Sequence, residues 1–318
     1  MMFRLLVAIV LAAIHCAAAL AQYPAKAIRL VLPFPPGGGV DGAARVIAPA
    51  LSQALGHPVL IENRPGADGA LAADVVIKSP PDGYTLYFGS NTSMLGIPVT
   101  RKVPPYDPRE AFTPISMAGR ITILLAVPGS FPAATLAEFV QYARANPGKI
   151  SFGAGNVTSL LAASQMMKTS GIRMEIIPYK GDGPTSIDLV AGRLQGGFLA
   201  GASLVCHAKE GRVKLLATLT QRRLPGAPEV PTIAEAGMPG ISIFGWMALF
   251  GPAKMPREVV ERLARDMAAV LQRPELRQSL AVQLFEPQAS TPDELARFLL
   301  SQLELWEGAA RDAGVPRE

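Results

Sequence analysis

Phe34–Arg45 reads FPPGGGVDGAAR, and the assignment of the whole chain turns on it. Before it stands AIRLVLPF, an apolar run of strand length. Within and after it, VDGAARVIAPALSQAL repeats its apolar residues at three- and four-residue steps, the period of a half-buried helix. Gly37, Gly38 and Gly39 therefore lie between a strand and a helix, with no side chains over the loop. The first N–H groups of a helix have no carbonyl one turn back, and they carry partial positive charge. A carboxylate or phosphate arriving there meets donors already oriented. Pro35 and Pro36 stiffen the approach and remove two N–H groups that would need partners. The stretch predicts a small-anion cradle.

The same strand–loop–helix plan repeats on both sides. Runs of strand character at 28–34, 58–62, 84–89 and 123–127 enclose helical patterns at Val40–Leu55 and Ala70–Lys78. That alternation predicts crossovers onto a largely parallel sheet. Ser90-Asn91-Thr92-Ser93 follows the third strand at its carboxyl end, where ligands of open α/β sheets sit. A Pro-rich passage at 103–115 reads as a connection. The alternation then resumes through KISFGAG, EIIPYKG, LQGGFLA and VKLLATLT, with helices at 136–146, 158–169, 184–191 and 203–209. A Pro/Gly-dense stretch at 224–240 leads to the strand ISIFGWMALFGP, and helices at 256–272 and 292–313 close the chain. Two α/β units joined by two passages predict two lobes over a cleft, lobe I from 22–121 plus 239–318 and lobe II from 122–238. Such lobes can hinge over a small molecule.

Composition narrows the partners. A charged start, a short apolar run and the exit Ala19-Leu20-Ala21 read as a secretory signal peptide over residues 1–21, which predicts a periplasmic product. Its removal takes away Arg4, leaving 29 basic against 25 acidic residues, a net charge of about +4 with no basic run. Nucleic acid is excluded on that ground. One cysteine, Cys206, remains, so no internal disulfide can form.

Catalytic and cofactor chemistry find little support. Gly37-x-Gly39-x-x-Gly42 matches the dinucleotide fingerprint, and Glu62 stands where a ribose-binding acid belongs. Two prolines before the loop and an exported destination argue against that cofactor. His57 sits in a turn, and His207 follows Cys206 on a helical segment where neighbours point apart. There is no G-x-S-x-G and no His/Cys/carboxylate cluster at metal spacing. The expectation is no enzyme, no metal and no cofactor. Asp41 is expected to support the cradle helix, and Trp246 and Trp306 to pack.

RLVLPFPPGGGVDGAAR, VLIENRPGADG, PPDGYTL, PYDPREAFTPI, PYKGDGPTSIDLVAGRLQ and EVPTIAEAGMPG, in this order, resemble the substrate-binding proteins of tripartite tricarboxylate transporters, the TctC-like or Bug family. The resemblance implies a two-lobe periplasmic-binding-protein fold of the Venus-flytrap kind (type II), each lobe a mixed, mostly parallel sheet flanked by helices, monomeric, that binds a small organic carboxylate and serves membrane permease subunits. A second role it allows is a sensing accessory whose closed form meets a regulator. It places the cradle on Pro35, Pro36, Gly37, Gly38, Gly39, Val40 and Asp41, with Ser90 and Asn91 beside it. It puts Asn156, Thr158, Ser159, Tyr179, Lys180 and Gly181 on the opposite wall. Departures from the family pattern are Val40 for a hydroxyl, Leu160 and Leu161 for a hydroxyl and a histidine, and Leu199 for an aspartate. A buried ligand polar group left without a partner costs about 1–3 kcal/mol. These changes therefore predict an apolar cleft, suited to a monocarboxylate with an apolar body and poor for a second carboxylate or an ammonium group.

Overall fold

The computed structural model describes residues 23–312 apart from 240, 242 and 243. The expected signal peptide lies outside the described residues. In chain order the first unit contains β1 (Ile28–Leu32), α1 (Gly39–Leu55), β2 (Val59–Asn63), α2 (Ala70–Ile77), β3 (Thr85–Ser90) and β4 (Phe112–Ile121). The second contains β5 (Ile123–Pro128), α3 (Leu136–Ala145), β6 (Ser151–Ala154), α4 (Val157–Ser170), β7 (Glu175–Pro178), α5 (Asp182–Val190), β8 (Gly196–Ala200) and β9 (Val213–Thr218). The chain then returns to the first unit through β10 (Gly245–Pro252), α6 (Arg257–Leu271), α7 (Pro274–Val282), β11 (Phe285–Pro287) and α8 (Pro292–Asp312).

Two sheets result, in the orders β11-β4-β10-β3-β1-β2 and β7-β6-β8-β5-β9. Among the described residues four strand pairings are parallel and five antiparallel. The sheets are therefore mixed, without the expected parallel majority. The antiparallel pairings are those of β10 with β3 and β4, of β11 with β4, and of β5 with β8 and β9, so the strands beside the two crossings between units, β4, β5 and β10, take part in all five. β4 takes in the last four residues, 112–115, of what the sequence presents as a Pro-rich connection. Pro114 is accommodated because it pairs with Phe250 at a register shift, where a ladder bond is not required. Only Thr122 separates β4 in one sheet from β5 in the other.

Each helix covers a sheet with the stripe its sequence period predicts. α1 buries Ala43, Ala44, Ile47, Ala48, Leu51 and Leu55 on the first sheet, and Gly56 ends it in the left-handed conformation (φ 73°). α8 lays Leu295, Leu299, Leu303 and Trp306 on the opposite face, in one cluster with Phe112, Trp246 and Phe250. Trp246 meets Phe298 of α8 edge-on, with ring centroids 5.4 Å apart, as the packing expectation has it. The final helix thus closes the core of the first unit. Truncating Leu299 to alanine is expected to destabilise the protein by about 2–5 kcal/mol, the usual cost of emptying a well-packed leucine site. Urea denaturation of Leu299→Ala against wild type measures it.

Candidate functional site

Three helices begin at one small cavity between the two units. Its lining comprises Phe34, Pro35, Gly38, Gly39 and Val40 at the start of α1, Ser90 at the end of β3 with Asn91 and Thr92 after it, Asn156 and Thr158 at α4, Asp182 at α5, and Ile121, Ile123 and Ala200. Gly38 caps α1 and Gly181 caps α5, and neither helix has a side-chain cap. The leading amides of both helices therefore lack the usual side-chain acceptor. α4 is closed by a capping box, the Asn156 Oδ1 accepting from Ser159 N and Ser159 Oγ accepting from Asn156 N. Each N-terminus carries roughly half a positive charge, so their convergence favours an anion. The cavity holds about 40 Å³, room for roughly three water-sized groups. Beside it, sharing Phe34 and Asn156, a groove of about 320 Å³ runs past Leu160, Tyr179 and Lys180.

The loop is held from behind. Asp41 is buried, and its Oδ2 accepts from Gly37 N (3.1 Å) and Arg45 Nε (2.8 Å) while Oδ1 accepts from Asn63 Nδ2 (3.1 Å). Burial alone would raise this carboxyl, but the hydrogen bonds from Arg45, Gly37 and Asn63 outweigh it and hold it below its usual range. Asn63 Nδ2 also donates to the Phe34 carbonyl, tying β2 to the loop. Asp41 thus supports the cradle, as expected, and does not face the cavity.

The two units are in contact around the site. Asn91 Nδ2 donates to Thr158 Oγ1, which also bonds Thr92 Oγ1 at 2.9 Å. Asn91 is itself fixed, its Oδ1 accepting from Trp246 N. Ser203 Oγ donates to the Gly37 carbonyl (3.3 Å), and away from the cavity Arg222 of the second unit pairs with Glu286 of the first. Backbone approach at the centre needs small residues. A Cβ on Gly39 would lie 2.6 Å from Ala200 Cβ, and one on Gly181 would press on Pro35 at 3.2 Å.

Several candidate residues line the cavity and others do not. Pro35, Gly38, Gly39, Val40, Ser90, Asn91, Asn156 and Thr158 line it. Pro36, Gly37, Ser159 and Gly181 shape or brace the loops instead. Tyr179 and Lys180 line the neighbouring groove, and the Tyr179 hydroxyl is committed to Asp188 Oδ2 at 2.6 Å. Leu199 is a correction: it lies in a core cluster with Leu124, Leu189 and Leu204, and Ala200 is the residue of β8 that meets the cavity. β8 continues through Ala200 instead of ending before Leu199, so Leu199 lies within the strand and alternation puts it on the face opposite Ala200. Leu161 is likewise buried in a core cluster. Two of the four changes behind the expected apolar cleft are therefore packing residues. Glu62, the acid of the dinucleotide fingerprint, is bound by Arg29 and Arg64.

Asp182 is the residue that sequence reasoning missed, although it stands in the quoted PYKGDG at the start of a helix. Its Oδ1 accepts from Asn156 Nδ2 and its Oδ2 from Ala200 N, both at 2.9 Å. The residue keeps some accessible surface, its open side being the cavity, while protein crowds the carboxyl group elsewhere. That burial pushes its pKa up to about 6, against the lowering effect of the Ala200 and Asn156 donors. Ser90, buried in the same lining, has an Oγ with no hydrogen-bond partner.

Two outcomes follow from this geometry. Gly39→Ala suits a helix but opposes the contact with Ala200, so overpacking of about 1–3 kcal/mol should weaken ligand binding roughly 5- to 150-fold. Adding Ala200→Gly should restore affinity, as read by calorimetric titration of both variants. The Asp182 shift also sets a pH dependence. A raised carboxyl pKa gives stability that is full below about 4 and lost as pH rises through about 6. Asp182→Asn should therefore gain on wild type between those values, by up to about 3 kcal/mol, in melting curves of ligand-free protein across pH.

Comparisons with known proteins agree with this architecture. The family model described as the tripartite tricarboxylate transporter family receptor matches residues 43–314. Protein BugT of Bordetella pertussis is 32% identical over 297 residues, covering 92% of this chain and 91% of BugT. The structure of Rpa4515 from R. palustris with adipate superposes with a TM-score of 0.89 at 32% identity, over 92% of this chain and 98% of that one. MatC from Rhodopseudomonas palustris with bound malate superposes at 0.83 with 28% identity, over 90% and 99%. The two solved relatives share the overall fold with this chain, and this chain belongs to the tripartite tricarboxylate transporter receptor family of periplasmic solute-binding proteins.

Proposed function

We propose that the protein captures a small organic carboxylate in the cavity between its lobes and delivers it to the membrane subunits of a tripartite transporter. The observation that carries this reading is the convergence of three helix N-termini, two of them without side-chain caps, on one cavity. Gly38, Gly39 and Val40 offer backbone N–H groups to the ligand carboxylate, and Pro35 limits its approach. Ser90, Asn91, Asn156 and Thr158 supply the polar rim. Pro36, Gly37 and Asp41 keep the loop in shape, and Ser159 and Gly181 position the facing helices. Tyr179 and Lys180 border the groove through which a longer ligand body would extend.

Lobe I comprises 22–121 plus 239–318, and lobe II 122–238, with the hinge at Thr122 and in the returning segment. Capture is the closing of lobe II onto the loaded cradle, and nothing covalent takes part. The protein acts in the periplasm as a monomer after loss of residues 1–21. Adipate and malate in two relatives support the carboxylate class.

The test is calorimetry on protein unfolded and refolded to strip carried-over ligand, titrated with mono-, di- and tricarboxylates. At least one small acid should bind, and Thr158→Val should weaken it by about tenfold, since one buried hydroxyl that ties both lobes is worth on the order of 1–2 kcal/mol. Failure of every organic acid to bind would sink the reading.

A further inference from the structure

Apolar side chains cross between the units in both directions. Val157, at the start of α4, is buried in the first unit's core cluster, its Cβ 2.9 Å from where a Cβ on Gly96 would stand. Leu284, between α7 and β11 of the first unit, is buried in a cluster whose other buried members all lie between Leu124 and Val230 of the second. Val157 borders the groove beside the cavity, which gives it a place in ligand binding. Leu284 lines neither the cavity nor that groove, so the carboxylate reading leaves it without a role.

The backbone at Leu284 is held where a leucine is costly. Gln283 ends α7, and Leu284 takes the left-handed conformation, φ 54°, its N–H donating to the Ala281 carbonyl at 2.9 Å. Helices commonly end this way on glycine, because a Cβ crowds the following carbonyl in that conformation. A leucine persists there where its side chain gains more than its backbone loses. The gain is a seat in the second unit. A Cβ on Gly201 would lie 2.9 Å from the Leu284 Cβ, and one on Gly226 would lie 2.9 Å from its Cδ2. Neither glycine is itself left-handed, so what these two positions provide is room for the leucine.

The seat adjoins the cradle. Gly201 follows Ala200, which meets Gly39, and Ser203 two residues on donates to the Gly37 carbonyl. The segment from Ala200 to Ser203 is thus clasped between the start of α1 on one side and Leu284 on the other. Arg222 and Glu286 also join the units near this turn, but their side chains are 79% and 54% exposed, and an exposed ion pair holds little. Burying a leucine outweighs it.

Resting on the reading that the lobes close over the ligand, we propose that Leu284 is a positioning residue of capture. Its side chain leaves the second unit's core when the lobes open and returns when they close. It therefore sets affinity and release rate without touching the ligand.

The experiment uses two substitutions, one in each unit. Leu284→Gly removes the side chain and keeps the turn, which suits glycine better. Gly226→Ala crowds the same seat from the other side. Wild type, both variants and the double variant, stripped by unfolding and refolding, carry spin labels on Lys78→Cys in the first unit and Lys149→Cys in the second, with Cys206→Ser. Both lysines are exposed. Each protein is titrated with adipate, malate and a panel of mono- and tricarboxylates, and the distance between labels is read alongside affinity.

Leu284→Gly should bind every acid that wild type binds about tenfold more weakly, by one common factor, with faster release and little change in association rate. At equal acid concentration its labels should keep a larger open population. Gly226→Ala should weaken binding several-fold, and should cost nothing further once residue 284 has lost its side chain. A Leu284→Gly protein that melts earlier than wild type without ligand, yet binds and closes as wild type does, would make Leu284 a packing residue and overturn the inference. A factor that differs from acid to acid would put Leu284 at the ligand and overturn it equally. Should Leu284→Gly not fold, wild-type affinity in Gly226→Ala would overturn it alone. Each of these leaves the carboxylate reading standing. A wild type that binds no acid, or binds one with its label distances unchanged, would remove the closure reading and the inference together.

Discussion

A helix whose first turn carries no side chain over it has to find acceptors for its leading amides elsewhere. That constraint organises the cradle of this protein. Three glycines let the chain leave β1 and enter α1 without covering those amides, and no serine, threonine or aspartate stands at the cap to satisfy them. Asp41, the one acidic residue of the first turn, is taken by Arg45, Asn63 and the Gly37 N–H. The carboxylate that could have filled the cradle from within is thereby held behind it. The amides stay available to a guest.

Availability matters only if the second lobe can come close, and here the chain uses size rather than charge. Gly39 faces Ala200 with no room for another carbon, Gly181 sits against Pro35, and a Cβ on Gly96 would lie 2.9 Å from Val157. Backbones and short side chains meet, so no long side chain has to be ordered or desolvated on closing. The polar contacts that accompany this approach are few and specific. Thr158 accepts a hydrogen bond from Asn91 and shares one with the Thr92 hydroxyl across the cleft. The hydroxyl and the amide are cheap to solvate when apart, which suits a contact made and broken in each cycle.

Much of this was legible in the sequence, because most of it rests on local pattern. The period of α1, the glycines before it and the Ser-Asn after β3 are all short-range signals, and they locate half of the cavity wall. β4 was not legible: Pro114 within it and the prolines just before it speak against a strand, and the bulged pairing of Pro114 with Phe250 explains how it forms. Ile121 and Ile123 went unnoticed for the same reason, since they reach the cavity through that strand and the crossing after it. Leu199 shows the limit of reading faces from a strand end. One residue of register decides between core and cavity, and the alternation in LQGGFLA is interrupted by two glycines. Asp182 differs from these. The strand–loop–helix argument made for Gly37–Gly39 applies equally to PYKGDG, and carried to α5 it places an acid at a second uncapped helix start.

Charge around the cavity then becomes the remaining question of balance. Three helix ends contribute together something like one and a half positive charges, spread over donors a few ångströms apart. Asp182 contributes up to one negative charge, and the Ala200 N–H and Asn156 amide that face it are themselves part of the donor set. Two donors turned to Asp182 are two fewer for a ligand carboxylate. By that count the α1 side keeps its positive charge while Asp182 offsets the helix starts of α4 and α5, so the site is uneven across the cavity. A polarised site orients what it holds. α1 belongs to the first unit and α5 to the second, so each side of the cavity owes its charge to a different unit.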